Sequence, residues 1–368
     1  MKTIRRLFYG EVVTAVALVT AGFLGLFYFF DFVAELQSLG KSSATGYRIP
    51  QALLFVASLV PSHLYELLPI TVLIGTIFVM ARLAQSSEFT ILRTSGLGPW
   101  RALRTLVALG AGFVIITFAV GDYLAPWADR TGQLLKSQYQ GNVTVGKTGA
   151  WLKEKQAHGH FAVNVGSLAP DASLREVRIF EFDDRGALVA MTQGKTARFS
   201  DDGSWMLSQV DRTEFSGANA ETSRVQRVLQ DSYRWPTEVN AEMVATAILR
   251  PERMGTIDLF QYIQHLTANG QSSVKYEIQF WKKVFYPLSC LVMVVLALPF
   301  AYLHFRSGGI ASYVFGGVMA GISFVLLNNV LGDLGALRGW QPWLTAALPG
   351  LIYSMASLGA FTWLVIRR

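Results

Sequence analysis

Residues Gly141–Thr148 read GNVTVGKT and satisfy G-x-x-x-x-G-K-[ST] at every fixed position. In a phosphate-binding loop of this pattern, backbone N–H groups between the glycines cradle the phosphates. The lysine, here Lys147, reaches the outer phosphates, and the Ser or Thr holds Mg²⁺. That chemistry needs a buried strand before the loop and a helix opening after it. The flanks offer neither. LLKSQYQ (Leu134–Gln140) is polar and reads as the frayed end of a helix, and GAWLKEK (Gly149–Lys155) reads as a strand. The loop also needs a metal-binding Asp after an apolar strand. The nearest candidate, IFEFDD (Ile179–Asp184), reads as one arm of a hairpin. The stretch is therefore read as a Gly-bracketed linker, and no nucleotide site is assigned. His158-Gly159-His160 could supply two zinc ligands, but no Cys or further His completes a set nearby, so a hairpin turn with two exposed histidines is the expectation and no metal site is assigned. No G-x-S-x-G, H-E-x-x-H or paired-carboxylate constellation appears in the polar middle of the chain, so no catalytic residue, enzyme activity or resident cofactor is expected.

The elements around these residues belong to a membrane protein. Of 368 residues, 52% are hydrophobic and only 15% charged, where a soluble domain carries about 25% charged residues. The net charge of +7 favours anionic partners such as lipid phosphates. No clustered basic and aromatic stretch suited to bases accompanies it, so nucleic acid is not expected. The single cysteine, Cys290, lies in an apolar run and is read as an inert buried thiol.

Apolar segments of spanning length occur at about 12–30, 64–83 (with a possible earlier start within 52–60) and 103–124, and again at about 284–303, 310–331 and 343–366. Six helices result, three on each side of a polar insert. Domain boundaries are set at 1–125, 126–276 and 277–368. The first segment exceeds the core of a signal peptide and lacks a clean cleavage site, so a retained helix is expected. Lys2, Arg5 and Arg6, then Arg82, Arg93, Arg101 and Arg104, then Arg306 and Arg367–Arg368 all fall on one side of six spans. The excess of Lys and Arg makes that side, with both termini, cytoplasmic and the insert external. Lys282 and Lys283 fall on the wrong side for this rule.

The insert reads as β. Phe161–Leu168 alternates in part, Val177–Thr192 forms a hairpin around Asp184–Gly186, Thr196–Val210 forms another around Asp201–Gly203, and Arg224–Trp235 adds a strand. Short strands in series suggest a sandwich or jellyroll. Thr256–Asn269 reads as an amphipathic helix leading back to the membrane, with Asp258 near its start.

Several charged and small residues sit within or beside the spans. Asp31 and Glu35, four apart on one helix face, and Glu66 are near interfaces, where ordinary solvation is the expected reading, as it is for Asn328, Asn329 and Asp333. Gly316, Gly317 and Gly321 would permit close helix approach or internal packing. In the second connection, Ser86-Ser87-Glu88 reads as a helix start, and Gly96 and Gly98-Pro99 as its stop. This helix at about 85–97 either lies on lipid headgroups or docks a cytoplasmic partner through Glu88; residue physics leaves both open.

LAQSSEFTILRTSG (Leu83–Gly96), GDYLAP (Gly121–Pro126), GAWLKE, WKKVFYPLS (Trp281–Ser289) and PFAYLHFRS (Pro299–Ser307) resemble the lipopolysaccharide export permeases. Within that family the chain is more similar to the LptG type than to its paralogue LptF. The resemblance covers nearly the whole chain through the order and spacing of these segments. It implies an α-helical membrane protein of six transmembrane helices with an inserted periplasmic β-jellyroll-like domain. The implied protein is a non-catalytic permease half of a bacterial inner-membrane ABC transporter in a Gram-negative cell. Its implied partners are an LptF-type permease, a dimeric cytoplasmic ATPase that holds the ATP and Mg, a single-helix periplasmic subunit and a periplasmic bridge protein. Lipopolysaccharide would be extracted from the inner membrane and passed upward. By resemblance, Glu88, Arg93 and Gly96 fall at the ATPase-coupling helix. Lys136 falls at a basic position suited to lipid phosphate, with Arg130 one turn before Gln133, which occupies the neighbouring basic position. Lys283 matches the lysine of a W-x-K motif facing headgroups. The first helix departs from the pattern: Asp31, Glu35 and Gln37 stand where relatives can carry lysines, with Lys41 further on. The alternative function is a transmembrane coupling protein that transmits ATPase motion to a periplasmic partner without moving lipid.

Overall fold

The computed structural model describes residues 2–39, 47–86, 88, 91, 98–140, 143–144, 150–156, 159–168, 173–183, 185–200, 203–216, 224–237, 254–302 and 310–366. Its helices are α1 (Lys2–Leu39), α2 (Ile49–Gln85), α3 (Pro99–Ala119), a π-helical turn (Val120–Leu124), α4 (Ala125–Gln140), α5 (Thr256–Ala268), α6 (Val274–Leu296) with a 3₁₀ turn (Leu298–Tyr302), α7 (Ile310–Arg338) and α8 (Pro342–Ile366). Among the described residues six stretches are long and apolar enough to cross a bilayer: Phe8–Gln37, Ile49–Gln85, Pro99–Gln133, Val274–Tyr302, Ala311–Arg338 and Pro342–Trp363. The expected three-plus-three arrangement around a β insert is present. The helices run longer than their apolar cores. Leu134–Gln140, read from sequence as a frayed end, is regular helix in α4, and α6 begins ten residues before its apolar run. The main chain keeps its hydrogen bonds by remaining helical beyond the hydrocarbon, and polar side chains there are no obstacle.

Two compact units arise. One comprises Met1–Ala34, Val56–Ala128 and Val274–Arg368, and the other Glu35–Phe55 and Asp129–Ser273. In the first, α2 is the most enclosed span, while α1 and α7 leave most of their surface uncovered among the described residues. Its core draws Val12 and Val16 from α1, Val72 and Met80 from α2, Leu106 and Phe113 from α3, Cys290 and Val294 from α6, and Phe361 from α8. Apolar packing contributes little against lipid tails, so close contact and hydrogen bonds carry the association. Thr20 donates to Thr71 at 2.9 Å between α1 and α2. Gly317 and Gly321 let α7 close on Ile77 and Ile70, where an added Cβ would come within 2.7 and 2.8 Å. Gly316 faces open space.

The second unit holds the sheet: β1 (Val143–Thr144), β2 (Ala150–Gln156), β3 (Gly159–Leu168), β4 (Leu174–Phe182), β5 (Leu188–Phe199), β6 (Ser204–Ser216) and β7 (Arg224–Pro236). All pairings are antiparallel in the order β1-β3-β4-β5-β6-β7, with β2 also beside β3. The hairpins fall where turn chemistry placed them. Asp183 Oδ1 accepts N–H bonds from Arg185 and Ala187, with Gly186 at φ 80°. Glu176 and Gln209 take positive φ, 54° and 52°. Both lie beside Gly194–Thr196 of β5, along one line across the sheet. Irregularities aligned in this way bend a sheet. The sheet curls until Trp235 of β7 meets Phe161 of β3, centroids 6.0 Å apart, and Gln156 Nε2 donates to the Pro236 carbonyl at 2.9 Å. Leu152, Val163, Val177, Trp205, Leu207 and Trp235 line an interior with no more room than a water molecule needs. Arg212 on β6 ties Glu181, Glu214, Thr192 and Tyr233 together. Burial opposes its charge, but the bonds to Glu214 and Glu181 outweigh that and raise its pKa.

Candidate functional site

Arg130, Lys136 and Lys283, the described cations that the resemblance marked for lipid phosphate, each have a specific partner. In the second unit, α4 presents Arg130 and Lys136. Arg130 pairs with Asp258 Oδ2 in the first turn of α5. Asp258 also accepts the Gly255 N–H at 3.3 Å, so it closes the start of that helix, where a negative charge is favourable. Lys136 Nζ donates to Glu35 Oε2 at 2.7 Å and lies 4.4 Å from the centre of the Phe55 ring. Tyr47 Oη donates to the other oxygen, Glu35 Oε1, at 3.0 Å. Burial, then the bond and charge of Glu35, hold the Tyr47 phenol above its ordinary pKa. Glu35 is 7% exposed, so the interfacial solvation expected for it gives way to a buried ion pair. Its partner lies 101 residues away, out of reach of any local reading. Asp31, in the first unit, likewise pairs with His63 Nε2 at 2.7 Å, and the His63 ring sits 4.9 Å from Phe27.

Lys283, in the first unit, is buried and donates from Nζ to the Gly121 carbonyl at 2.9 Å. The π-helical turn Val120–Leu124 interrupts the regular ladder at that carbonyl. Gly121 lies flat against the Tyr65 ring, and a Cβ there would come within 2.3 Å of it. The neighbouring Tyr286 donates to the Glu66 carbonyl at 2.6 Å. Pro69 in α2 and Pro287 in α6 each remove one further helical hydrogen bond at nearby levels. Lys283 is thus a cross-helix clamp on an opened turn, a use that spacing could not reveal. In the sequence, WKK gave a lysine on the wrong side of the orientation rule and, by resemblance, a headgroup-facing position.

Glu88 is helical and exposed, as is Ile91. Arg93, Gly96, Lys41, Lys147 and His158 lie outside the described residues, and His160 stands on β3. Trp151–Gln156 after the P-loop match is strand β2, as the sequence suggested. Among the described residues no three His, Cys, Asp or Glu side chains converge as a metal site would require. Cys290 is buried, with its Sγ 3.2 Å from Thr117 Oγ1. Tyr47, Phe55, His63 and Tyr65 were not singled out by sequence; aromatic and polar residues in an apolar run carry no signal until a partner is in place.

The two cations of α4 are thus each paired with a carboxylate, and Lys283 holds the carbonyl of an opened turn. The profile of the family described as lipopolysaccharide export system permease LptF/LptG matches residues 6–366. The chain is 25% identical over 371 residues to the lipopolysaccharide export system permease protein LptG of Haemophilus influenzae, covering 100% of this chain and 99% of that protein. It is 27% identical over 340 residues to the protein of the same description from Escherichia coli K12, covering 92% and 90%.

Proposed function

From a chain that belongs to the lipopolysaccharide export permease family LptF/LptG, we infer the LptG-type permease subunit of a lipopolysaccharide exporter, a multi-pass inner-membrane protein. The observation that carries this reading is the full-length match laid over six spanning helices, three on each side of one antiparallel β insert.

Physical chemistry shapes the rest of the reading. Withdrawing acyl chains from a bilayer opposes about 0.8 kcal/mol per CH₂, so a lipid of several chains needs an external energy source. The chain brings no catalytic constellation of its own. ATP and Mg belong to a dimeric cytoplasmic ATPase, and its strokes enter through the connection that carries Glu88, Arg93 and Gly96. An LptF-type permease completes the path. A single-helix subunit and a periplasmic bridge receive the lipid from the β domain. The Lys and Arg bias puts both termini in the cytoplasm and the β domain in the periplasm. Passage through the β domain requires the Gln156–Pro236 and Phe161–Trp235 contacts to open, because its interior is otherwise filled.

Arg130 and Lys136 on α4 are the proposed contacts for lipid phosphate, with Lys41 beside them in the sequence reading. Lys283, buried on the Gly121 carbonyl, acts within its own unit as a helix clamp. Replacing Arg130 and Lys136 together by Ala is expected to lower photocrosslinking of lipopolysaccharide to the purified complex at least about tenfold, the scale of a single charge-assisted hydrogen bond. Each change leaves a carboxylate without its cation, so thermal melting is followed in parallel to separate lost folding from lost binding. Undiminished crosslinking in a folded variant would refute the assignment.

A further inference from the structure

We propose that Glu35 is a built-in competitor for the anionic headgroup at Lys136, so that this site takes up a phosphate-bearing lipid by exchanging one anion for another. The inference rests on the lipopolysaccharide reading above and goes beyond it by naming a residue that sets affinity and selectivity.

The geometry is that of an occupied anion site. A lysine ammonium has three donors and no acceptor. One donor of Lys136 is held by Glu35 Oε2 at 2.7 Å, and the Phe55 ring covers another side of the ammonium at 4.4 Å. The remainder opens outward: the Lys136 side chain is 27% exposed, whereas that of Glu35 is 8% exposed. The carboxylate is also fixed from behind by the Tyr47 hydroxyl at 3.0 Å. An arriving phosphate therefore meets a pair of zero net charge rather than a free cation. If the carboxylate swings away, the ion pair must be broken. If it stays, two anions share one ammonium and repel each other. Either path weakens phosphate binding, so the sign of the effect does not depend on which is taken. Such weakening suits a transport site, which must bind well enough to admit its cargo and loosely enough to release it.

The test uses the full chain assembled with its paralogous permease in lipid nanodiscs. Affinity is measured for lipopolysaccharide, for phosphatase-treated lipopolysaccharide and for inorganic phosphate. Glu35→Gln, which keeps the side-chain shape and removes the charge, is expected to bind lipopolysaccharide about tenfold more tightly, a modest fraction of the Coulomb effect at such separations. The gain should vanish with phosphatase-treated lipid and on adding Lys136→Met. Glu35→Asp withdraws the charge by one methylene and should give an intermediate gain, which serves where the Gln variant folds poorly. A gain for lipopolysaccharide alone supports exchange with a lipid-anchored headgroup, and an equal gain for inorganic phosphate supports exchange with phosphate itself. Unchanged or weaker binding of lipopolysaccharide to the Glu35 variants would overturn the proposal. If adding Lys136→Met to Glu35→Gln leaves lipopolysaccharide affinity unchanged, the assignment of Lys136 to the headgroup fails instead.

Discussion

Gly121→Ala is expected to lower the thermal stability of the protein by about 1–3 kcal/mol, the usual cost of forcing one carbon into a filled interior, and to slow lipid release several-fold. The added Cβ would lie 2.3 Å from two carbons of the Tyr65 ring. The ring is hemmed in by Tyr286 at a centroid distance of 5.1 Å and has little freedom to retreat. Either the ring or the π-helical turn must move. Movement of the turn carries the Gly121 carbonyl away from Lys283 and leaves a buried ammonium without that acceptor. Differential scanning of the detergent-solubilised protein reads the stability. Tyr65→Leu in the same chain makes room for the methyl and should restore part of the loss. A neutral Gly121→Ala would show that this contact does not hold the helices together.

Glu88→Ala is expected to cut lipopolysaccharide-stimulated ATP hydrolysis at least tenfold. Glu88 is helical and exposed, in the connection between α2 and α3, and Arg82, Arg101 and Arg104 flank it in sequence on the side assigned to the cytoplasm. An exposed carboxylate there gains little from its own chain. Engaging a cation of the ATPase would make a charge-assisted bond whose loss is worth about 1.5–3 kcal/mol, or roughly ten- to a hundredfold. The alternative left open by the residues, a helix resting on headgroups, predicts no such loss, because an acidic side chain contributes nothing to binding an anionic surface. Hydrolysis and ATPase co-purification measured on one preparation distinguish the two, and wild-type values for both would remove Glu88 from the coupling path.

The sequence carried the architecture where signals were local. Apolar length gave six spans, and Asp-Gly turn chemistry gave the β4–β5 and β5–β6 hairpins. It also predicted a strand after the GNVTVGKT match, and the residues beyond it form β2 where the pattern calls for a helix. Helix ends were less legible, because a chain leaving the hydrocarbon can stay helical with polar residues, as α4 does through Gln140. The candidate site was half legible. Lys136 and Arg130 were marked by the family resemblance, but their partners Glu35 and Asp258 are 101 and 128 residues away in the chain. Glu35 alone reads as a solvated acid at a helix end; in the structure it is buried in an ion pair with Lys136, one of the proposed phosphate contacts. Lys283 misled in the opposite direction. The orientation rule marked it as anomalous, while its explanation, a carbonyl on an opened turn of another helix, exists only once the helices are packed.

Reconstitution tests whether this chain conducts lipopolysaccharide out of the membrane under power from a separate ATPase. The chain, its paralogous permease and the ATPase are placed in proteoliposomes containing lipopolysaccharide, and transfer of the lipid to a purified periplasmic acceptor is measured with and without ATP. ATP-dependent transfer is expected, lost when Glu88 is replaced and reduced when Arg130 and Lys136 are replaced together. ATP hydrolysis coupled to movement of the β domain, with no lipopolysaccharide reaching the acceptor, would contradict it and leave a coupling protein in place of a permease.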